Sequence, residues 1–321
     1  MVRVAVVGAG VFGREHARVY SELSGSQLVA VCDIEESGGR PVAEQYGATF
    51  VSDYRELAGM VDAVSVAAPT EAHWAIVCDL LQAKIAVLVE KPIARTLDEA
   101  DQMIEAANRS GAVLQVGHLE RFNPAVTAAA RILTQPRFFE AHRLSIFTPR
   151  SLDIDVVMDL MIHDIDVLLA FVDSDVSEVR AAGVPILTSR IDIANARIEF
   201  ANGCVANLTA SRVSGDRVRK LRFFQPGEYV SIDYAIQEAA VVSVKPRPGG
   251  RPEFESRLLP VESAEPLRLE IESFLAAVGG SPVKVTAAEG RRALALAVDI
   301  TERIREHASR AGVNSVVESD R

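Results

Sequence analysis

Three side chains of this 321-residue chain have types and spacings that suit proton-transfer chemistry. Asp159 and His163 stand four residues apart in a stretch that is otherwise almost entirely apolar, and Lys91 lies between Glu90 and Pro92. Residues four apart share one face of a helix, and burying a carboxylate and an imidazole is costly unless they are paired. A carboxylate that orients an imidazole is a general-base arrangement, and a lysine can stabilise negative charge on a reacting oxygen or share the base role. The same residues are also consistent with roles outside catalysis, namely a structural Asp–His pair and a solvated surface lysine.

The pattern around Lys91 predicts an α/β unit. Short apolar runs alternate with helical patterns through residues 2–117, as in a parallel sheet covered by helices on both faces. The predicted strands are residues 2–7, 27–32, 61–67, 85–89 and 113–116. Lys91 follows the fourth of these strands, at the carboxyl edge where open α/β sheets bind ligands.

A glycine-rich motif opens this unit and predicts a dinucleotide site. The motif comprises Gly8, Gly10, Val11, Phe12 and Gly13. It follows the first strand and begins a helix, and Asp33 ends the second strand about twenty residues further on. The first glycine permits a tight turn, the second lets the backbone approach a pyrophosphate, and the third allows close packing of helix on strand. Asp33 would accept hydrogen bonds from ribose hydroxyls and repel a 2′-phosphate, which favours NAD over NADP.

After about residue 120 the pattern changes to many short strands. Asn202-Gly203 and Pro226-Gly227 separate pairs of extended runs, as in tight hairpin turns. They predict a large, mostly antiparallel sheet, and one helix over residues 156–171 carries Asp159 and His163. We therefore expect an α/β Rossmann domain over residues 1–120 and an α+β domain over residues 121–321. The C-terminal helix could pack back onto the first domain.

Composition argues against several other classes of protein. The formal net charge is −10, so a nucleic-acid partner is not expected. No apolar run approaches the ~20 residues of a membrane helix, and the N-terminal apolar run is too short for a secretory signal. Three cysteines without paired spacing argue against disulfides and structural zinc, and they fit a reducing cytoplasm. We also expect no metal at Asp159 and His163, because no third ligand stands at a useful spacing.

Four motifs together resemble the Gfo/Idh/MocA oxidoreductases. They are Gly8-x-Gly10-x-x-Gly13, Ala68-Pro69-Thr70-x-x-His73, Glu90-Lys91-Pro92 and Asp159-x-x-x-His163. The resemblance implies a Rossmann domain, a second domain with an open antiparallel sheet, and NAD(P)-dependent redox chemistry at a sugar or polyol hydroxyl. It also implies homodimers or homotetramers joined through that sheet. Its catalytic positions fall on Lys91, Asp159 and His163, and its cofactor positions on the glycine motif, Asp33, Ala68, Pro69, Thr70, His73, Glu90 and Lys91. Met161 departs from the family pattern, which has glycine there.

Residues 117–124 and 159–166 resemble the branch of that family that contains UDP-N-acetylglucosamine 3-dehydrogenases. The branch implies oxidation of a nucleotide-sugar 3-hydroxyl to a ketone. His118, Arg121 and Asn123 are expected substrate contacts, and a cationic cluster could receive a diphosphate. The cluster comprises Arg212, Arg217, Arg219, Lys220 and Arg222. Strand alternation lets only some of them share a face, and Arg212 and Lys220 are the members expected at the substrate.

Three alternatives remain open on the sequence. The same fold could oxidise a free sugar, a polyol or an inositol, which would not need the cationic cluster. It could use NAD transiently to eliminate a glycosidic bond, with no net NADH. It could also be a non-catalytic NAD(H)-binding sensor, although the expected lysine, aspartate and histidine are all present.

Overall fold

The computed structural model describes residues 1–148, 154–245 and 252–312. Their Cα positions form two compact units, Met1–Phe122 with Glu265–Leu294, and Asn123–Ala264 with the chain from Ala295 onward. Among the helices of these described residues, none combines the length and apolar character that crossing a membrane requires.

The chain forms strands and helices in the order expected for an α/β unit followed by an α+β unit. The strands are β1 (Val2–Val7), β2 (Ser26–Cys32), β3 (Thr49–Val51), β4 (Ala63–Val66), β5 (Ala86–Glu90), β6 (Leu114–Gly117), β7 (Phe138–Leu144), β8 (Val176–Val184), β9 (Ile193–Phe200), β10 (Val205–Ser211), β11 (Val218–Gln225), β12 (Glu228–Asp233), β13 (Glu238–Lys245) and β14 (Glu253–Leu258). The α-helices are α1 (Val11–Glu22), α2 (Glu36–Gln45), α3 (Thr70–Gln82), α4 (Leu97–Ser110), α5 (Pro124–Ala130), α6 (Ile162–Phe171), α7 (Pro266–Val278) and α8 (Ala287–Ala311).

The first unit is built on a six-stranded parallel sheet. Its strand order is β3-β2-β1-β4-β5-β6, the doubly wound order of dinucleotide-binding folds. The central strands are apolar and buried on both faces, as in β1 and β4. The predicted Rossmann fold is confirmed.

Residues 265–294 belong to the first compact unit, whereas the sequence pattern placed them in the second domain. The cause is the apolar stripe of α7: Leu267, Ile271 and Phe274 are buried in the same core as Tyr20 of α1. An amphipathic helix folds with the core that covers its apolar face, wherever it stands in the chain.

The second unit contains an eight-stranded sheet. Its order is β14-β13-β12-β11-β7-β10-β9-β8, and among the strands that the structure describes only β7 and β10 pair in parallel. Both predicted hairpins form, β9–β10 and β11–β12, with Gly203 at φ +82° and Gly227 at φ +79° in their turns. These left-handed positions explain the glycine at each turn. The predicted α+β architecture is confirmed.

The regular α-helix predicted over residues 156–171 is wrong in its first turn. Val157–Met161 forms a π-helical turn, and the α-helix α6 begins at Ile162. A π turn takes up one more residue than an α turn, so the simple four-residue spacing from Asp159 to His163 no longer describes one face of an α-helix. Such turns recur at functional sites.

Candidate active site

The glycine motif forms a turn that requires glycine at Gly8 and at Gly13. Gly8 adopts φ +94°, and a Cβ atom there would lie 2.6 Å from the backbone nitrogen of Ala68. A Cβ on Gly13 would lie 1.7 Å from the carbonyl oxygen of Gly8, so α1 and β1 approach at backbone contact. At Gly10 the Cβ position meets no atom within 4 Å. The open position stands at the N-cap of α1, where a helix presents unpaired N–H groups to an anion. These residues fit the pyrophosphate of a dinucleotide, and Val11 and Phe12 beside them are exposed.

Asp33 lies at the carboxyl end of β2 and contacts the glycine motif. Its carboxylate accepts hydrogen bonds from the backbone N–H of Ala9 (2.6 Å) and of Glu35 (2.8 Å). The following residue, Ile34, is 88% exposed. The carboxylate is therefore held in place beside the turn, as expected for a group that meets an adenosine ribose.

His73 joins the loops that follow β4 and β5. It lies on α3, which begins at Thr70 directly after Pro69, and its ring is buried. One ring nitrogen lies 2.9 Å from the carbonyl oxygen of Ala68 and the other 3.1 Å from that of Pro92. Burial lowers the pKa of His73, while the two carbonyl oxygens oppose that shift. The imidazole therefore ties the loop carrying Lys91 to the neighbouring loop.

Glu90 ends β5, and its side chain is part of a buried hydrogen-bonded group. Its Oε1 lies 2.9 Å from Nε2 of His16, and its Oε2 accepts from the backbone N–H of Lys91 at 3.3 Å. Burial would raise the pKa of Glu90, but the hydrogen bond from His16, together with the Lys91 ammonium, holds it below its usual range. The carboxylate stays ionised and lies directly beside the Lys91 backbone.

His118 directly follows β6 and is almost fully buried. Neither ring nitrogen has a hydrogen-bond partner within the described part of the chain. Burial, reinforced by the charges of Lys91 and Arg121, lowers the pKa of His118 to about 3, so the ring is neutral at physiological pH. A buried polar group without a partner is unusual and costly, which marks this imidazole as a candidate for contact with a ligand.

Arg121 and Asn123 follow His118, and both have partners. Arg121 donates to Glu289 at 2.9 Å within the first unit. In the second unit, Asn123 caps α5 by accepting from the backbone N–H of Ala125 (3.1 Å), and its amide donates to the carbonyl of Tyr234 (3.1 Å). Asn123 thus has a structural task that its sequence context did not reveal.

Asp159 and His163 lie in the π turn and at the second residue of α6, and both are half-buried. The next residue anchors this segment: the Asp164 carboxylate binds the Arg143 guanidinium of β7 through two hydrogen bonds, of 2.7 and 3.0 Å. Both side chains are about 95% or more buried. This bidentate pair fixes α6 on the sheet and with it the backbone of His163. The direct bond expected between Asp159 and His163 stays a prediction.

The two cations expected at a diphosphate already face carboxylates. Arg212 is buried, donates to the carbonyl of Ile154 and lies 3.8 Å from Asp192. Lys220 on β11 is partly exposed and lies 3.3 Å from Asp233. Their predicted contact with a substrate stays a prediction, and these pairs would have to open or share their cation for it.

His16 of α1 is a functional candidate that the sequence motifs do not single out. Its ring is fully buried and contacts Glu90 and Ser65. Helical periodicity could have found it: Gly13, His16, Ala17 and Tyr20 are spaced as one face of α1, and that face is buried against the sheet.

Comparison with known proteins identifies the class. The model of an oxidoreductase family with an NAD-binding Rossmann fold matches residues 2–118, and the GFO/IDH/MocA C-terminal domain matches residues 129–224. A UDP-N-acetylglucosamine 3-dehydrogenase from Acidithiobacillus ferrooxidans is 37% identical over 306 residues, which cover 93% of this chain and 96% of the relative. The chain belongs to the Gfo/Idh/MocA family of NAD-binding oxidoreductases. NAD is its cofactor, as Asp33 and the glycine motif predicted.

A solved structure and one further relative bear on the reaction. The solved structure of UDP-N-acetylglucosamine 3-dehydrogenase GnnA from Acidithiobacillus ferrooxidans matches with a TM-score of 0.88 and 35% identity, covering 95% of this chain and 98% of that one. An inositol 2-dehydrogenase from Rubrobacter xylanophilus is 32% identical over 67% of this chain and 66% of its own length. The chain is thus similar to dehydrogenases of both nucleotide sugars and polyols.

Proposed function

We propose that the protein oxidises the 3-hydroxyl of UDP-N-acetylglucosamine, or of a closely related nucleotide sugar, with NAD. The observation that carries this proposal is the 37% identity, over 93% of the chain, to a protein named UDP-N-acetylglucosamine 3-dehydrogenase. The presence of Lys91, Asp159 and His163 at the family's catalytic positions supports it.

The proposed mechanism divides the loss of two hydrogens between the protein and the cofactor. His163, oriented by Asp159, removes the proton of the substrate hydroxyl as general base. Lys91 donates a hydrogen bond to the same oxygen and stabilises the negative charge that develops there. NAD, when bound, supplies the nicotinamide that accepts the hydride from the carbon.

His118 is the strongest candidate among the expected substrate contacts. Its ring nitrogens have no partner among the described residues and would gain one from a sugar hydroxyl or carbonyl. The proposal also includes four substrate contacts from which we expect a smaller contribution to binding: Arg121, Asn123, Arg212 and Lys220. Their side chains already have polar partners within the protein.

A second candidate function is oxidation of a polyol or free sugar. The ion pairs of Arg212 and Lys220 favour it, because they occupy the cations that a diphosphate would need. The inositol dehydrogenase relative supports it as well.

The proposed assembly is a homodimer or homotetramer joined through the open sheet of the second unit. Exposed apolar side chains on β11 and β14 support it, namely Phe224, Phe254 and Leu258. The free cysteines support the proposed cytoplasmic location. Light scattering on the purified protein would report the mass of the assembly, and a monomer at micromolar concentration would contradict this part.

The decisive substrate test is anaerobic incubation with NAD and single candidate substrates. The panel contains UDP-N-acetylglucosamine, UDP-N-acetylgalactosamine, free N-acetylglucosamine and myo-inositol, and the readout is absorbance of the reduced nicotinamide together with mass spectrometry of the product. A ketone product and NADH from the nucleotide sugars alone would support the proposal. NADH only from inositol would establish the second candidate, and cleavage without net NADH would indicate the elimination chemistry.

A further inference from the structure

We propose that His16 is a positioning residue for Lys91, acting through the Glu90 carboxylate, and that it couples the dinucleotide-binding helix α1 to the catalytic loop. The inference rests on the proposed function, in which Lys91 contacts the reacting oxygen. Its physical core, the hold of His16 on Glu90, can be tested apart from that function.

The buried hydrogen bonds form a chain that ends at Glu90. The Tyr20 hydroxyl lies 2.8 Å from Ser65 Oγ, which lies 3.0 Å from Nδ1 of His16. Nε2 of His16 lies 2.9 Å from the Glu90 carboxylate. While it is ionised, this carboxylate has no proton to donate and acts as an acceptor alone. With Nε2 carrying the proton, each hydroxyl can donate toward the next member, so every donor of the chain points to the carboxylate.

The other end of Glu90 contacts the catalytic loop. Its second oxygen accepts from the backbone N–H of Lys91 at 3.3 Å. A Cβ on Gly117, the partner of Glu90 across the β5–β6 pair, would lie 3.1 Å from Oε1, so glycine there leaves room for the carboxylate. His16 stands in the second turn of α1, whose N-cap is the open Gly10. The imidazole therefore connects the helix that receives the pyrophosphate to the residue that holds the Lys91 backbone.

Several charged or titratable groups face the Glu90 carboxylate. They are His16 of α1, Glu270 of α7, His73 of α3, His118 after β6 and Lys91 of the same loop. Donor atoms of His16, Glu90 and Glu270 lie within 4.8 Å of one another, a spacing that a metal ion could also use. The His16–Glu90 hydrogen bond and the Lys91 ammonium both stabilise the ionised Glu90 carboxylate.

The test compares His16→Leu with His16→Gln. Leucine removes both ring nitrogens, whereas the glutamine side-chain amide can still donate to Glu90. We expect His16→Leu to lower kcat about 10- to 100-fold, the effect of one lost hydrogen bond to a charged group, with KM for NAD changed less than about threefold. His16→Gln should recover most of kcat. Ser65→Ala, which shortens the chain without removing the Glu90 contact, should cost less than His16→Leu.

The pH profile separates positioning from simple structural support. Loss of the His16 donor raises the pKa of Glu90, and activity that requires the ionised carboxylate falls as pH falls through that pKa. The acid limb of the kcat profile should therefore move to higher pH in His16→Leu and return in His16→Gln. An unmoved limb, or a glutamine variant no better than the leucine variant, would overturn the inference.

A titration of the Glu90 side-chain carboxyl by NMR tests the same step without turnover. In the NAD-bound protein, the midpoint for Glu90 should lie below that of an ordinary glutamate and rise in His16→Leu. An equal midpoint in both proteins refutes the inference even if the enzyme is active. A shifted midpoint in a protein that oxidises no sugar would refute the proposed function and leave the His16–Glu90 coupling standing.

Discussion

The glycine motif offers a matched pair of substitutions that separates folding from cofactor binding. Gly13→Ala places a methyl carbon 1.7 Å from the carbonyl oxygen of Gly8, and the neighbour is backbone rather than a flexible side chain. Reaching an ordinary contact of roughly 3.2 Å requires a backbone shift of about 1.5 Å. A shift of this size places the free-energy cost at the upper end of the range for overpacked cores. We expect a loss of about 3 kcal/mol in the free energy of unfolding.

Gly10→Ala should behave in the opposite way. The added methyl group meets no atom within 4 Å, and φ is −66°, which any residue adopts. Stability should therefore change by less than about 0.5 kcal/mol. The methyl group occupies space that the pyrophosphate needs, so we expect the Kd for NAD to rise about tenfold or more.

The changes in stability and in NAD affinity can both be measured without an added probe. The single tryptophan, Trp74, lies on α3 of the first unit, so its fluorescence during urea unfolding reports on the unit that contains the motif. Calorimetric titration gives the Kd for NAD. A Gly13→Ala protein as stable as the wild type would refute the close helix–strand approach, and a Gly10→Ala protein that binds NAD normally would refute the placement of the pyrophosphate.

Three further predictions use other parts of the two units. Lys91→Met should lower kcat about 10²- to 10⁴-fold with the Kd for NAD within about threefold of wild type, and steady-state kinetics that find unchanged turnover would contradict its role. Asp33→Ser removes the carboxylate that repels a 2′-phosphate, so the ratio of kcat/KM for NADP to kcat/KM for NAD should rise about 100-fold. This factor corresponds to the repulsion of two like charges about 6 Å apart at an effective dielectric constant of about 20. An unchanged ratio argues against Asp33 at the ribose. Asp164→Asn breaks the buried pair with Arg143 and should lower the free energy of unfolding, followed by circular dichroism, by about 3 kcal/mol. Glu178→Gln in the exposed pair with Arg180 should lower it by less than about 0.5 kcal/mol. Equal losses would contradict the larger contribution expected of the buried pair.

Elements with strong local signals were predictable from the sequence. The strand over residues 2–7 and both hairpin turns agree with the structure because alternation, length and turn glycines all indicate the same element. Helix α2 gave no such signal: it contains Gly38, Gly39 and Pro41, which disfavour helices. Tertiary packing explains the glycine at position 39, since a Cβ on Gly39 would lie 2.7 Å from the Phe50 ring and 2.8 Å from Asp33. The helix needs glycine to approach the end of β2.

The candidate site shows the same division. The glycine motif and Asp33 were found because their chemistry depends on a fixed local spacing. The chain from Tyr20 through Ser65 to His16 and Glu90 was not, because its members come from separate elements and meet only in the folded sheet. The π turn before His163 was missed for a different reason: hydrophobic periodicity does not distinguish it from the first turn of an α-helix.

The proposed reaction transfers a hydride from C3 of a nucleotide sugar to NAD, with Lys91 at the reacting oxygen. The most direct measurement uses UDP-N-acetylglucosamine carrying deuterium at C3, incubated anaerobically with the enzyme and NAD, with mass spectrometry of the reduced cofactor. The account predicts one deuterium in the NADH from this substrate, none from substrate labelled at C4, and a rate that collapses in Lys91→Met. Deuterium arriving from C4, or turnover of the nucleotide sugar that leaves NADH unlabelled from either position, would contradict it.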